Sequence, residues 1–348
     1  MKRCIVIGAG GRGGYWVHAV LTRMRDQVQV VGLVDVAQEP LDEGAKAHDL
    51  SPAQLFTDAE RALDSIEADF CLISTPPWVH EENVRTAVER GLPILSEKPV
   101  ADTLEASIRI KKLVEGAGLP MTVVQNYRYS PYMLAFREVL DRGGLGRLSY
   151  LIGRFAACYN PPRNWGRRFR HEMDYALLIE GSVHHFDMLR NLSGADCEEI
   201  FGYGWIPPWA DFKGDCNGLY VMRMTDDSRA FYEGSCTAEG YENSWHQEYY
   251  RAECEKGAVV VDADNVVTLH RIGEEPEIVQ QPADAPEAGQ AILLEFLDYL
   301  ETGEPGQTAI ADNIKSVGMV FAAIECDRTG QPVKVQEMLD EAEARIQV

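Results

Sequence analysis

A chain of 348 residues is longer than one hydrophobic core usually organises, which sets an expectation of two domains. Its net charge of -22 at neutral pH repels phosphate backbones and anionic lipid surfaces. Nucleic acid and membrane are therefore excluded as expected partners, and a small molecule is favoured.

With 45% hydrophobic and 25% charged residues and no long low-complexity tract, both halves are expected to fold. The eight cysteines are scattered and form no Cys-x-x-Cys pair, so they read as reduced, small core residues of a cytoplasmic protein rather than zinc ligands. No apolar run approaches the roughly 18 residues of a spanning helix. The run 4–9 is interrupted by glycines and Arg12 and reads as a first strand, not an export signal.

In chain order, short β-branched runs at 3–7, 28–34, 68–73, 93–96 and 120–124 alternate with helix-like stretches at 13–25, 40–49, 58–66, 79–90 and 103–115. Such alternation predicts an α/β, doubly wound parallel sheet over 1–124, with its ligand beyond the carboxyl ends of the strands. From residue 125 the texture changes. A helix at 131–142, a strand at 148–159 and a helix at 180–192 precede strands at 202–206, 218–224, 229–236 and 247–254 and a hairpin of 258–261 with 265–270. Helices at 289–300 and 312–326 follow, and the whole of 125–348 reads as an α+β domain with an antiparallel sheet.

Gly8, Gly10 and Gly13 form Gly-x-Gly-x-x-Gly between the first strand and the first helix. The first permits a tight turn, the second lets backbone approach a pyrophosphate, and the third allows close helix packing. Amides around Gly11 and Arg12 then face the phosphates at the helix N-terminus. Asp35 ends the second strand, where a carboxylate can bind a ribose 2′-hydroxyl and disfavour a 2′-phosphate. The expected cofactor is NAD rather than NADP, with Arg12 the one feature that would assist a phosphate.

Further motifs follow the later strands: Ser74-Thr75-Pro76-Pro77 with His80, then Glu97-Lys98-Pro99, then Asn126-Tyr127-Arg128-Tyr129-x-Pro131, and the segment from Glu180 to Asp187. In this order they resemble the Gfo/Idh/MocA oxidoreductase family. The resemblance implies a Rossmann domain followed by a large open, mainly antiparallel sheet through which subunits pair, here as a homodimer or homotetramer. It also implies cofactor contacts at Ser74, Thr75, Pro76, His80, Glu97 and Asn126, and a lysine, Lys98, that touches both cofactor and substrate. The family's Asp-x-x-x-His pair maps onto Glu180 and His184, although glutamate stands for aspartate and Gly181-Ser182 departs from the usual residues.

The chemistry needs those parts. Oxidising an alcohol removes a hydroxyl proton as hydride leaves carbon, so a group titrating near neutrality is required, and imidazole has a pKa of ~6.5. His184 is the expected base and Lys98 the electrostatic partner of the developing alkoxide. Glu180, four residues before His184 on a helix, is expected to orient the imidazole, with Asp187 as the alternative. His185 is a substrate-lining candidate. A histidine in so apolar a helix can equally be a packing residue. No metal is expected, because adjacent histidines do not share a helix face and none follows His184 at i+4.

Between Tyr159 and Asp174, four arginines (Arg163, Arg167, Arg168, Arg170) and Trp165 stand in a very acidic protein. Arginine grips carboxylates bidentately and aromatic rings stack on sugar faces, so Arg163 and Trp165 are expected in a substrate lid. The competing reading is a loop salt-bridged to the acidic surface. Tyr127, Arg128 and Tyr159 are further substrate candidates. The expectation is an NAD-dependent dehydrogenase of a sugar, sugar derivative or inositol. The alternatives are redox-neutral use of NAD in epimerisation or glycoside cleavage, and a non-enzymatic sensor.

Overall fold

The computed structural model describes residues 1–166, 168–240 and 245–346. The chain forms two compact units. The first comprises Met1–Asn126, Pro286–Ile314 and the C-terminal residues from Ala344; the second comprises Tyr127–Ala285 and Lys315–Glu343. This differs from a single division after residue 124. The crossing lies two residues later, and the chain returns to the first unit at Pro286–Ile314 and again from Ala344.

Six strands build the first unit: β1 (Lys2–Ile7), β2 (Val28–Val34), β3 (Leu55–Phe56), β4 (Phe70–Ile73), β5 (Ile94–Ser96) and β6 (Met121–Val123). All pair in parallel in the order β3-β2-β1-β4-β5-β6. Their near-continuous apolar runs suit a sheet covered on both faces. Asp58 and Thr103 cap two of the intervening helices by accepting the backbone N–H of Arg61 and Ala106. The return at Pro286–Ile314 is held by packing. Helix Ala288–Thr302 carries Ile292, Leu293, Phe296 and Leu297 on one stripe, and Phe296 meets Phe70 edge to face at 5.3 Å. Burying side chains of this size contributes roughly 1.5–3 kcal/mol each. Backbone pairing adds to it, since Val123 N–H donates to Thr308 O at 3.0 Å.

Among its described residues the second unit holds nine strands: β7 (Leu148–Ala156), β8 (Cys197–Trp205), β9 (Asn217–Met224), β10 (Arg229–Ser235), β11 (Tyr249–Cys254), β12 (Gly257–Val261), β13 (Val267–Arg271), β14 (Glu277–Ile278) and β15 (Val333–Lys334). Their order is β14-β13-β12-β11-β7-β10-β9-β8-β15. The sheet is mixed rather than purely antiparallel, because β7 and β10 run parallel at its centre. On the inner face tyrosines and glycines share one row across strands: Tyr250, Gly153, Tyr232, Tyr220 and Gly202 are register partners in turn. The glycines make room. A Cβ on Gly202 would lie 2.5 Å from the Tyr220 ring, and one on Gly153 would lie 3.1 Å from Tyr250 and 3.4 Å from Leu189. Helix Val183–Ser193, which carries Leu189, thereby sits close on the sheet with nearly every residue buried.

The outer face is different: Ile152, Phe231, Val221 and Phe201 form one row across four strands, and Leu219 and Tyr203 lie in the next. Leu219, Val221, Phe231, Tyr203 and Trp205 are all exposed. Helix Val335–Arg345 and strands β3, β14 and β15 were not anticipated from the sequence. Among the described residues, no helix is long and apolar enough to cross a membrane.

Candidate active site

In the first unit the glycine turn follows β1 and opens the helical stretch 12–23, whose middle, Trp16–Val20, is a π-turn. Gly8 adopts φ 93° and a Cβ there would sit 2.5 Å from Ser74 O. A Cβ on Gly13 would lie 1.8 Å from Gly8 O, so the helix packs directly on the turn. Gly10 is less confined: its nearest neighbours would be Pro40 Cγ at 3.2 Å and Asp35 Oδ2 at 3.4 Å. Gly11, at φ 55°, precedes the helix and supplies no side-chain cap, which leaves the N-terminal amides open to an anion.

Asp35 Oδ2 accepts the backbone N–H groups of Ala9 and Gly10, and Oδ1 accepts that of Ala37. Ser74 Oγ, at the same turn, is buried and has no hydrogen-bond partner among the described residues. An open helix N-terminus, an unpartnered hydroxyl and a carboxylate at the end of β2 fit the phosphates and ribose of a dinucleotide.

The neighbouring motifs divide between contact and support. Thr75 Oγ1 accepts the Asn83 side-chain amide, and Thr75 O lies 2.8 Å from His80 Nε2. His80 has no accessible surface, and its other nitrogen is 3.2 Å from Val100 O. It braces the Ser74-Thr75-Pro76 loop from beneath instead of facing a ligand as expected. Glu97 is also buried, accepting Arg12 Nε at 2.8 Å and Trp16 Nε1 at 2.7 Å through Oε1. Its carboxylate ties the end of β5 to the glycine helix and holds Arg12, which also lies 4.1 Å over the Tyr15 ring. Lys98 next to it is partly exposed, before a cis Lys98-Pro99 bond, and Asn126 is buried.

In the second unit, His184 is 6% exposed and stacks face to face on Tyr127, with centroids 4.6 Å apart and planes 2° from parallel. Trp245 meets its ring edge-on at 6.2 Å. Trp165 stacks on Tyr159 at 5.3 Å and approaches Trp245 at 5.8 Å, so an aromatic wall extends from the histidine into the loop. His185, the substrate-lining candidate, has no accessible surface; its Nδ1 lies 2.9 Å from Tyr232 Oη, which accepts Ser182 Oγ–H at 3.0 Å. It is a packing residue.

Glu180 and Asp187, the two carboxylates expected to orient His184, each hold an arginine. Leu177–Ser182 is a π-turn, so the four-residue spacing from Glu180 no longer stacks one residue above the other. Glu180 Oε2 instead accepts Arg170 Nε at 2.8 Å, and Glu180 is 3% exposed. Asp187 is gripped by Arg128 Nε and Nη2, each at 2.7 Å, and accepts Ser316 Oγ–H at 2.7 Å. That removes Arg128 from the substrate candidates.

The loop arginines are paired within the protein: Arg163 with Glu239, Arg168 with Glu172 and Asp211, and Arg170 with Glu180. Arg167 lies outside the described residues. Arg163 is thus a surface ion-pair member, and Trp165 remains the part of the expected lid that faces the histidine's aromatic wall.

The sequence reading missed Trp245 and Glu248. Glu248 has no accessible surface; its Oε1 accepts the Tyr127 hydroxyl at 2.7 Å and His246 N–H at 3.1 Å. A signal existed, because Glu248 is in phase with the inward-facing Tyr250 and Ala252 of β11. Burial pushes the phenols of Tyr127, Tyr232 and Tyr250 well above their ordinary range, so they stay protonated. Among the described residues no group of three or more His, Cys, Asp or Glu side chains could hold a metal ion.

Residues 2–125 match the oxidoreductase family with an NAD-binding Rossmann fold, and residues 133–260 match the GFO/IDH/MocA C-terminal domain. The uncharacterized protein y4oX of Sinorhizobium fredii is 39% identical, over 96% of this chain and 95% of its own length. A scyllo-inositol 2-dehydrogenase (NAD(+)) of Bacillus subtilis is 25% identical over 96% of both chains. Among solved structures, an Agrobacterium radiobacter oxidoreductase in complex with NAD+, L-tartaric acid and magnesium superposes with a TM-score of 0.84 at 19% identity, over 97% of this chain and 99% of that one. A levoglucosan dehydrogenase in complex with NADH gives 0.82 at 17% identity, over 96% and 99%. The chain belongs to the Gfo/Idh/MocA family of oxidoreductases, and its first domain is of the NAD-binding Rossmann type.

Proposed function

We propose that the chain is an NAD-dependent dehydrogenase acting on a secondary hydroxyl of a cyclitol, sugar or sugar derivative. The observation that carries this reading is the stacked His184 beside the aromatic wall of Trp245, Trp165 and Tyr159, in a family whose first domain binds NAD. The backbone amides of Gly11 and Arg12 would take the pyrophosphate, Ser74 Oγ would add a donor, and the Asp35 carboxylate would accept from the adenosine ribose and repel a 2′-phosphate. When bound, the nicotinamide supplies the hydride acceptor.

The remaining work falls to side chains. A ring nitrogen of His184 accepts the substrate hydroxyl proton and returns it in the reverse direction. The Lys98 ammonium stabilises the alkoxide that forms as that proton leaves. The partly exposed indole of Trp245 offers C–H contacts to a pyranose or cyclohexane ring. The relatives named as inositol 2-dehydrogenases put cyclitols first among substrates to try.

The test is a panel of inositols, sugars, uronic acids and anhydrosugars incubated with NAD or NADP while reduced cofactor is followed by absorbance. At least one member is expected to be oxidised with NAD, and Lys98→Met and His184→Gln are expected to abolish that rate. No turnover across the panel by protein that binds NAD would sink the reading in favour of redox-neutral chemistry or sensing.

The exposed apolar rows on β7 to β10 support self-association through this sheet, because soluble monomers rarely expose contiguous apolar patches of several hundred Å². A monomer mass in light scattering at micromolar concentration would overturn that assignment.

A further inference from the structure

The chemistry assigned above leaves Glu248 unused, although it is a carboxylate with no accessible surface. Its Oε1 is engaged by the Tyr127 hydroxyl and the His246 amide, and Oε2 has no hydrogen-bond partner among the described residues. His185 Nε2 lies 3.5 Å from Oε1, at the edge of hydrogen-bond range, and makes no hydrogen bond of good geometry. A buried acid with so few partners opposes folding, and such violations of packing rules concentrate where function needs them.

The strongest contact of Glu248 leads to the proposed base. Its bond to the Tyr127 hydroxyl, at 2.7 Å, is charge-assisted when the carboxylate is ionised, and the phenol keeps its proton because burial raises it. With its far end tied down, the Tyr127 ring cannot swing, and its face is the surface on which the His184 imidazole lies at 4.6 Å. On the helix that carries His184, Glu180 Oε2 accepts Arg170, and both oxygens of Asp187 are held by Arg128, one of them also by Ser316. The adjacent His185 is held separately, by Tyr232.

We propose that Glu248 is a positioning residue for His184, acting through Tyr127: the carboxylate fixes the phenol, and the phenol ring fixes the plane of the imidazole. This contribution comes from outside the histidine's own helix, from the residue that immediately precedes β11. This rests on the reading of His184 as proton acceptor.

The test reads the ring itself and needs no substrate. Protein labelled with carbon-13 in histidine is examined by proton–carbon NMR, the His184 signal being identified by its loss in His184→Gln. Stacking against Tyr127 places the His184 ring protons in the shielding cone of the phenol. Glu248→Gln and Tyr127→Phe are each expected to move or broaden that signal, and the double variant is expected to move it no further than either single one. With myo-inositol as probe substrate, both are expected to lower kcat about ten-fold or more with little change in KM for NAD.

A His184 signal unmoved in folded Glu248→Gln overturns the proposal. Should that variant not fold, Tyr127→Phe decides, because it deletes one oxygen and keeps the stacking ring. An unmoved signal while His184→Gln is inactive sinks the positioning role alone. Full activity in His184→Gln sinks it together with the reading of the site.

Discussion

Asp35 Oδ2 accepts two consecutive backbone N–H groups, those of Ala9 at 3.0 Å and Gly10 at 2.9 Å. One carboxylate at the end of β2 therefore shapes the glycine turn and also supplies the negative charge that separates NAD from NADP in the proposed reading. The two roles predict a compound effect for Asp35→Ser. Affinity for NAD should fall about ten-fold or more, since charge-assisted bonds of roughly 1.5–3 kcal/mol are lost. The ratio of NADP to NAD affinity should rise, because the repulsion of a 2′-phosphate is removed. Calorimetric titration with both cofactors checks this; an unchanged ratio would show that Asp35 serves the turn alone.

Two glycines of the same turn should separate folding from binding. Gly13→Ala places a methyl 1.8 Å from Gly8 O, a backbone atom that cannot retreat, so the first unit should fail to fold or lose several kcal/mol of stability, of order 3–5. Gly10→Ala meets its first neighbour only at 3.2 Å, from a proline ring. That variant should melt within a few degrees of the parent while NAD binding weakens sharply, because the new methyl stands where the pyrophosphate approaches. Thermal melts beside NAD titrations of both proteins distinguish the cases. Equal loss of binding and fold in the two would contradict the assignment of separate roles.

These glycines were legible in the sequence because their constraint is local: a turn, a close approach and a helix start lie within a few residues. Asp35 was legible for another reason, as the carboxylate that ends the strand after the glycine helix, although the turn amides it holds lie far back in the chain. The pairing of Glu180 with Arg170 was not, since a π-turn adds a residue to the helix path and nothing in Leu177 to Ser182 announces it. The return of helix Ala288–Thr302 to the first unit was equally hidden, because its partner Phe70 lies more than two hundred residues away and no local pattern names it. Glu248 and the last helix were legible in principle. The first sits in the inward phase of a strand, and Val335, Leu339 and Ala342 follow helical spacing inside a glutamate-rich tail.

Asp327 predicts a pH dependence of stability in the second unit. Burial, with Asp215 nearby, raises its carboxyl from 3.8 to about 6, against the opposing hydrogen bonds from Tyr220 and Gly204 N–H. A raised acid binds its proton more tightly folded than unfolded, so its stabilising share is present below about pH 4 and is lost as pH rises through about 6. Asp327→Asn keeps an acceptor for Gly204 and an amide donor for Tyr220 without the charge. The variant should match the parent near pH 4 and become the more stable protein by pH 7, with the gap flat above that. Melting curves between pH 4 and 8 read this directly, and a gap that shrinks as pH rises would refute it.

The Arg170–Glu180 pair separates a structural from a substrate role for the basic loop. Glu180 is 3% exposed while the Arg170 side chain is 24% exposed, so the arginine covers the carboxylate and not the reverse. Arg170→Met should take away the cation that faces a buried carboxylate and cost about 3 kcal/mol. Glu180→Gln should cost less, because the stranded guanidinium can reach water and still stacks near Phe169 and Trp165. Combining the two should recover part of the Arg170→Met loss, a positive coupling that urea denaturation of all four proteins measures. By contrast Arg163→Ala, whose pairing with Glu239 is at the surface, should change stability by no more than about 0.5 kcal/mol. If the Arg170 and Glu180 losses simply add, the pair is not what holds this carboxylate in the fold, and a direct role for Glu180 in substrate contact becomes the better account.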